Sequence, residues 1–213
     1  MMDLYTYWRS STAYRVRIAL NLKSLAYEPI CISLVESEQH TAAYRSVNPQ
    51  GLVPALIDDG KLYVQSLAII EYLEERYPQA PLLPTDIDER AYVRSLAQLI
   101  ACEIHPLNNV RVLRYLERTF DASPAQRNEW YANWIAEGLA AFEATLGRYA
   151  YSGKFCCGDV PGLADICLVP QLYNAVRYGC SLDAYPRLQA INAACEELPA
   201  FALAHPARQP DAF

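Results

Sequence analysis

The sequence predicts two parts: an α/β first part in the order β-α-β-α-β-β-α over residues 1–80, and an all-α helical bundle over residues 89–213. Three observations predict it. Up to residue 77, period-2 apolar stretches alternate with runs of helical period. Residues 78–89, PQAPLLPTDIDE, place prolines at 78, 81 and 84, as a boundary between units does. Beyond Arg90 strand-like alternation all but disappears, and Val93, Ala97, Ile100, Ile104 and Leu107 recur at three or four residues, with Trp130, Trp134, Leu139 and Phe142 following less regularly.

Each element has its own local reason. DLYTYW (3–8) alternates and is rich in aromatics, so it reads as a strand, and the SST that follows offers N-cap residues for a helix through Leu22. AYEPICISL (26–34) reads as a second strand, placed at a sheet edge because Pro29 cannot donate to a ladder. HTAAYRSV (40–47) reads as a short helix ending before NPQG. VPALI and KLYV, joined by DDG, read as a hairpin. Ser66 is expected to cap the helix LAIIEYLEERY, which stops at Pro78.

Composition narrows the function. The chain of 213 residues is 53% hydrophobic and 20% charged, enough to bury one large core or two modest ones. No apolar run approaches the roughly 18 residues of a membrane span, and Asp3 and Arg9 stand where a secretory leader would want apolar residues. The expectation is a cytoplasmic protein with no membrane contact. Net charge is −6, which gives no basic face for nucleic acid. The seven cysteines are odd in number and lack C-x-x-C spacing, so neither a disulfide framework nor a metal site is expected. Arginines outnumber lysines 15 to 3, and the planar guanidinium suits carboxylates, although most scattered arginines are ordinary surface residues.

Three stretches carry chemistry. In WRSSTAYRVRIAL, one hydroxyl of Ser10, Ser11 and Thr12 serves as the N-cap. The other two are spare. They stand where free amides and the helix dipole favour an anion, and a thiolate is one such anion. In NPQGLVPAL, a cis Val53–Pro54 bond would turn the Val53 backbone outward to pair with an extended peptide. In QSLAIIEYL, Gln65 and Ser66 at a helix start suit an α-carboxylate. Together they describe a peptide ligand bearing a thiol. Arg9, directly before the hydroxyls, is the first candidate partner for a substrate carboxylate, whereas Arg15 and Arg17 point away from the helix start and read as structural. In EIHPLNNVR, His105, Asn108 and Asn109 fall within about 100° on an ideal helix, with Pro106 favouring a kink.

These stretches, in this element order, resemble the glutathione transferase superfamily, and WRSSTAYRVRIALNLK is similar to the signature of its zeta class, the maleylacetoacetate isomerase and maleylpyruvate isomerase family. NPQGLVPAL, QSLAIIEYLEERYP, EIHPLNNVRVL, GLADICLVPQ and HPARQPD extend the resemblance over essentially the whole chain. It implies a thioredoxin-like first domain that binds glutathione as cofactor, with Ser10 stabilising the thiolate. It implies glutathione contacts at Ser11, Thr12, Gln50, Val53, Pro54, Gln65, Ser66, His105 and Asn109, catalytic roles for Ser10 and Arg9, and a substrate site at Arg9, Arg111 and Arg177. Thr12 departs from the usual cysteine and is expected to tune the site rather than disable it. Gly162 departs from the usual Ser or Thr cap three residues before Asp165, at a cost of a few tenths of a kcal/mol.

The resemblance further implies a homodimer that isomerises a small dicarboxylate with no metal: maleylacetoacetate to fumarylacetoacetate in tyrosine and phenylalanine catabolism or, alternatively, maleylpyruvate to fumarylpyruvate in gentisate catabolism. A general transferase acting on electrophiles, served by Tyr5 or Tyr7, and a non-enzymatic binding module are the other readings.

Overall fold

The computed structural model describes residues 1–151 and 153–213, and these group into two compact units: Met1–Leu82 with Glu196–Phe213, and Leu83–Cys195. In the first unit, β1 (Met2–Thr6), β2 (Tyr27–Cys31), β3 (Ala55–Asp58) and β4 (Lys61–Val64) form one mixed sheet in the order β2-β1-β3-β4. β1 buries Met2, Leu4 and Thr6 on one face, runs parallel to β2 and pairs antiparallel with β3, with Leu4 opposite both Pro29 and Leu56. Pro29 therefore lies on an edge strand, where its missing N–H costs least. The β3–β4 hairpin closes through Asp59 and Gly60, both at positive φ (50° and 72°), as a type I′ turn requires.

Helix α1 (Ser11–Leu22) is buried on nearly every side and packs against α3 (Ser66–Arg76) and α9 (Pro199–Ala204). Complete burial of Arg15 and Arg17 on it demands partners. Arg17 Nε donates to the Ala204 carbonyl (3.1 Å), while its other nitrogens reach Thr6 Oγ1 and the Tyr7 and Trp8 carbonyls (3.0–3.3 Å). Asn21 adds a bond to the Ala200 carbonyl (2.9 Å). These bonds draw the chain from Glu196 onward into the first unit, whereas the sequence reading ran one helical unit from 89 to 213. Helical periodicity shows that a segment is amphipathic, not which core accepts it. Between Gly51 and α2 (Ala42–Val47) lies the NPQG turn; Gly51 sits at φ 62°, and a Cβ there would meet the Gln39 carbonyl at 2.8 Å. At the far end of α1, buried Lys23 ion-pairs with Glu74 (2.7 Å) and donates to the carbonyls of Tyr77, Gln79 and Ala80, closing the end of α3.

The second unit is helical. Asp86 caps α4 (Ile87–Gln98) by accepting from the Asp88 and Glu89 amides, and α4 runs into a π-helical turn, Leu99–Ile104. Helices α5 (Val110–Phe120), α6 (Pro124–Arg148), α7 (Leu163–Arg177) and α8 (Pro186–Glu196) follow. Ile104 lies so close to Gly138 of α6 that a Cβ there would sit 2.2 Å from its side chain, so glycine sets the approach of the π turn. Gly162 begins α7 with its N–H donating to Asp165 Oδ2 (2.8 Å), and Cys156 N–H donates to Oδ1 (2.9 Å). Half of the expected box survives without a side chain at the cap. Among the described residues, no helix is long and apolar enough to cross a membrane.

Candidate active site

Ser10 is the N-cap of α1: its backbone is extended, and its Oγ accepts from the Ala13 N–H (3.2 Å). The spare hydroxyls then divide. Ser11 begins the helix and is buried, while Thr12 Oγ1 lies 2.9 Å from Ser10 Oγ and donates to the Val53 carbonyl (3.0 Å). A threonine has one hydroxyl proton, so with Thr12 donating to Val53 the Ser10 hydroxyl is the donor in the shorter contact. The result is a chain, Ser10 to Thr12 to Val53, that joins the positive end of α1 to the residue before a proline. The Val53–Pro54 bond is cis. Only part of the outward turn expected of Val53 is seen, since its carbonyl faces Thr12.

Three side chains organise the neighbouring turn. Asn48 Nδ2 and the Tyr44 hydroxyl both donate to the Leu52 carbonyl (2.8 and 2.6 Å), and Asn48 Oδ1 accepts from the Gln50 amide (3.1 Å). Gln50 is thereby placed to accept from Gln65 Nε2 (2.9 Å). Gln65, not Ser66, is the residue at the N-cap of α3, with φ 71° and ψ 117° and no side-chain cap bond. Backbone of that kind on a residue other than glycine costs on the order of 1–3 kcal/mol and gathers at functional positions. The expected Ser66 cap is thus corrected: Ser66 is the first helical residue, and its Oγ accepts from buried Arg15 Nη1 (3.3 Å). A hydroxyl that accepts from a guanidinium keeps its own proton for another acceptor, and the Arg15 charge lies behind it.

Arg9 is half-buried, with its guanidinium 4.6 Å from the centre of the Trp8 ring and Nη2 donating to the Tyr7 hydroxyl (3.3 Å). Its Nε is buried without a hydrogen-bond partner among the described residues, as is Trp8 Nε1. Burial lowers the Arg17 pKa to about 10, which leaves a full positive charge behind the same loop at neutral pH. Burial also pushes the Cys31 thiol up to about 11, with Asp211 adding to the shift.

In the second unit, His105, Asn108 and Asn109 do not share one helical arc. The helix ends in the π turn, residues 105–108 form a turn, and Asn109 caps α5 by accepting from the Arg111 N–H (3.0 Å). Trp130 Nε1 donates to the Leu107 carbonyl (2.9 Å), and buried Asn108 donates to the Tyr131 carbonyl (3.2 Å). Tyr131 stacks on Tyr178 at 3.6 Å, and burial, with Tyr178 adding to it, raises the Tyr131 phenol pKa despite the neighbouring Arg177. The 105–109 turn and the end of α7 therefore meet at Tyr131. Arg111 and Arg177 are both exposed.

Sequence reasoning missed Asn48, Trp8 and Asp211. Asn48 had a signal in the turn-forming Asn-Pro pair. Asp211 accepts from the Trp8 N–H (3.0 Å) across 203 residues, a contact with no local signature. Among the described residues there is no cluster of three His, Cys, Asp or Glu suited to a metal, and all seven cysteines are free.

The model of the glutathione S-transferase N-terminal domain matches residues 4–81, and that of the C-terminal domain matches residues 124–191. The maleylacetoacetate isomerase of Pseudomonas aeruginosa is 50% identical over 213 residues, covering 99% of this chain and 98% of the relative. The holo structure of a maleylpyruvate isomerase, a bacterial glutathione S-transferase of the zeta class, superposes with a TM-score of 0.97 at 48% identity, over 99% of this chain and 100% of the other. The chain belongs to the zeta-class glutathione transferases. Maleylacetoacetate isomerase from Methylobacterium extorquens AM1, with malonate and glutathione bound, superposes with a TM-score of 0.96 at 42% identity, covering 99% of each chain. Family membership gives the Ser10 region its context: a thioredoxin-like β/α domain followed by a helical domain.

Proposed function

We propose that this chain is a glutathione-dependent cis–trans isomerase whose substrate is a maleyl diacid, maleylacetoacetate in tyrosine and phenylalanine catabolism. The observation that carries the reading is the junction of the Ser10–Thr12–Val53 hydroxyl chain with Arg9: a donor for a thiolate next to a cation for a carboxylate. The residues fit glutathione as a peptide. Gln50 and Gln65 meet at its expected edge, and Ser66 retains a proton for a carboxylate.

When bound, glutathione supplies a thiolate that adds reversibly to the cis carbon–carbon double bond, leaving a single bond free to rotate. Ser10 turns its hydroxyl proton from Thr12 to the sulfur, and the α1 N-terminus adds its field, so the thiol ionises nearer to neutral pH than its usual value of roughly 8.5. Arg9 holds one substrate carboxylate, and its unpartnered Nε marks unused donor capacity on that guanidinium. Arg111 and Arg177 are proposed as further carboxylate partners, and His105 and Asn109 as contacts for glutathione or substrate. Ser11, Thr12, Val53 and Pro54 complete the glutathione contacts in this reading. The chain would act as a cytoplasmic homodimer, a state that sedimentation measures directly.

Maleylpyruvate is the second reading, favoured by Thr12 at the position where the zeta class usually has cysteine. A relative named for each substrate lies at nearly equal identity, 50% and 48%. Initial rates on both diacids, each with and without glutathione, test the proposal. Glutathione-dependent turnover supports it, and the ratio of the two kcat/KM values chooses the substrate. No turnover of either diacid would leave conjugation of electrophiles, assayed on the same preparation.

A further inference from the structure

The last five residues, Gln209–Phe213, lie against the loop that carries Arg9. Asp211 Oδ2 accepts from the Trp8 backbone N–H (3.0 Å), one peptide unit before Arg9. Ala212 packs against a cluster of Tyr7, Trp8, Ile32, Tyr44 and Val53. The Phe213 ring meets the Trp8 ring edge-on at 5.3 Å, and the Arg9 guanidinium lies 4.6 Å from the Trp8 centroid and 5.8 Å from that of Phe213. Upstream, Gln209 Nε2 bonds the carbonyls of Leu203 and His205 (3.0 Å each), and its own carbonyl accepts from the Ala212 N–H (3.1 Å), so the segment is anchored on both sides.

These contacts constrain different degrees of freedom. The Asp211 bond fixes the Tyr7–Trp8 peptide plane, and the next plane, Trp8–Arg9, is held by Arg17 through the Trp8 carbonyl, so the two together set where the Arg9 Cα stands. Two aromatic faces then restrict the guanidinium at the end of a long side chain, which otherwise loses much rotamer freedom on binding an anion. Phe213 itself is 84% exposed, so its burial gives the fold little. An exposed aromatic ring placed against a functional cation is poorly explained as packing.

We propose that the segment Gln209–Phe213 is the positioning element for Arg9, with Asp211 holding the backbone and Phe213 closing an aromatic slot around the guanidinium; this rests on Arg9 being the carboxylate partner. Asp211 and Phe213 are positioning residues and touch no reacting atom. Pre-orienting Arg9 lowers the cost of binding the diacid and leaves the glutathione half of the site alone.

The test uses the full chain and four variants: Phe213→Ala, Phe213→Tyr, Asp211→Ala and Asp211→Asn. KM for the diacid is expected to rise about threefold in Phe213→Ala and about tenfold in Asp211→Ala, with the glutathione KM within about twofold of the parent. Phe213→Tyr keeps the ring, and Asp211→Asn keeps an acceptor for the Trp8 N–H, so both should recover most of the loss. In an Arg9→Met background, Phe213→Ala should have no further effect. Equal rises in both KM values, or none, overturn the proposal. If Asp211→Ala fails to fold, the exposed Phe213 variants still decide. Malonate titrations in the presence of glutathione separate this idea from the isomerase reading. A protein that turns over neither diacid yet binds malonate more weakly as Phe213→Ala keeps the positioning role and loses the isomerase. A protein that binds no dicarboxylate loses both.

Discussion

Replacing Ser10 with alanine perturbs two separable quantities. The first is structural. Ser10 Oγ accepts from the Ala13 N–H at 3.2 Å, and loss of a serine N-cap costs about 1 kcal/mol, which lowers Tm by about 2–4 °C in a chain of this size. The second is chemical. A hydrogen bond to a charged group contributes about 1.5–3 kcal/mol, but Ser10 must first give up its neutral bond to Thr12, worth about 1 kcal/mol. The net gain of about 0.5–2 kcal/mol corresponds to a thiol pKa depressed by about 0.4–1.5 units, because one unit equals 1.36 kcal/mol. Ultraviolet titration of the bound thiolate should therefore show a rise of that size in Ser10→Ala. The acidic limb of the rate profile should move with it. Ser10→Thr, which keeps a hydroxyl and a competent cap, should restore both. A variant with unchanged thiol pKa and a collapsed rate would refute the reasoning, and a matching loss from Tyr7→Phe would move the role to the tyrosine.

Three further outcomes follow from the same geometry. Thr12→Val removes the acceptor that competes for the Ser10 proton, so the bound thiol pKa should fall by up to about 0.7 units; a rise on titration would show that Thr12 donates to Ser10 instead. Gly138→Ala forces a methyl group to within 2.2 Å of Ile104, which is 1% exposed, and overpacking of this kind costs about 1–3 kcal/mol in chemical denaturation. An unchanged midpoint would mean that the π turn yields freely. Burial first, then Arg208 and Arg17, hold the His205 pKa below its usual 6.5 despite Glu196, and its Nδ1 accepts from the Ala207 N–H. The unfolded chain therefore takes up the proton first, so this contribution to stability is present above pH 6.5 and is lost as pH falls below it. The decline in Tm from about pH 7.5 to about pH 5 should be shallower in His205→Gln, and identical slopes would sink the assignment.

What the sequence made legible was local. A hydroxyl cap within Ser10–Thr12, the Asp59–Gly60 turn and Pro29 on an edge strand are each decided within a few residues, by a free amide, a pair of positive φ angles or a missing donor. Ser66 misled because the deciding partner lies far away. Arg15, 51 residues earlier in the chain, takes the serine hydroxyl, and the turn into α3 falls to Gln65 at φ 71°. The arc through His105 and Asn109 failed for a related reason. The reading allowed for a kink at Pro106, but Ile104 seated on Gly138 and Trp130 bound to the Leu107 carbonyl fix where the helix ends.

The errors share a direction that bears on function. Two residues read from their own stretch as glutathione contacts, and the backbone beside Arg9, depend for their geometry on residues remote in sequence: Thr12 on Val53, Gln65 on Gln50, and the Trp8 N–H on Asp211. A strand that ends in hydroxyls delivers the chemistry, but it fixes only the first atom of each side chain. The Arg9 guanidinium donates to the Tyr7 hydroxyl and lies against two rings, one its chain neighbour and the other 204 positions later, and no periodicity could have announced the second. Substitutions in the last five residues should therefore alter how the protein handles carboxylates before they alter how it folds, which is the opposite of what their distance from the WRSST stretch suggests.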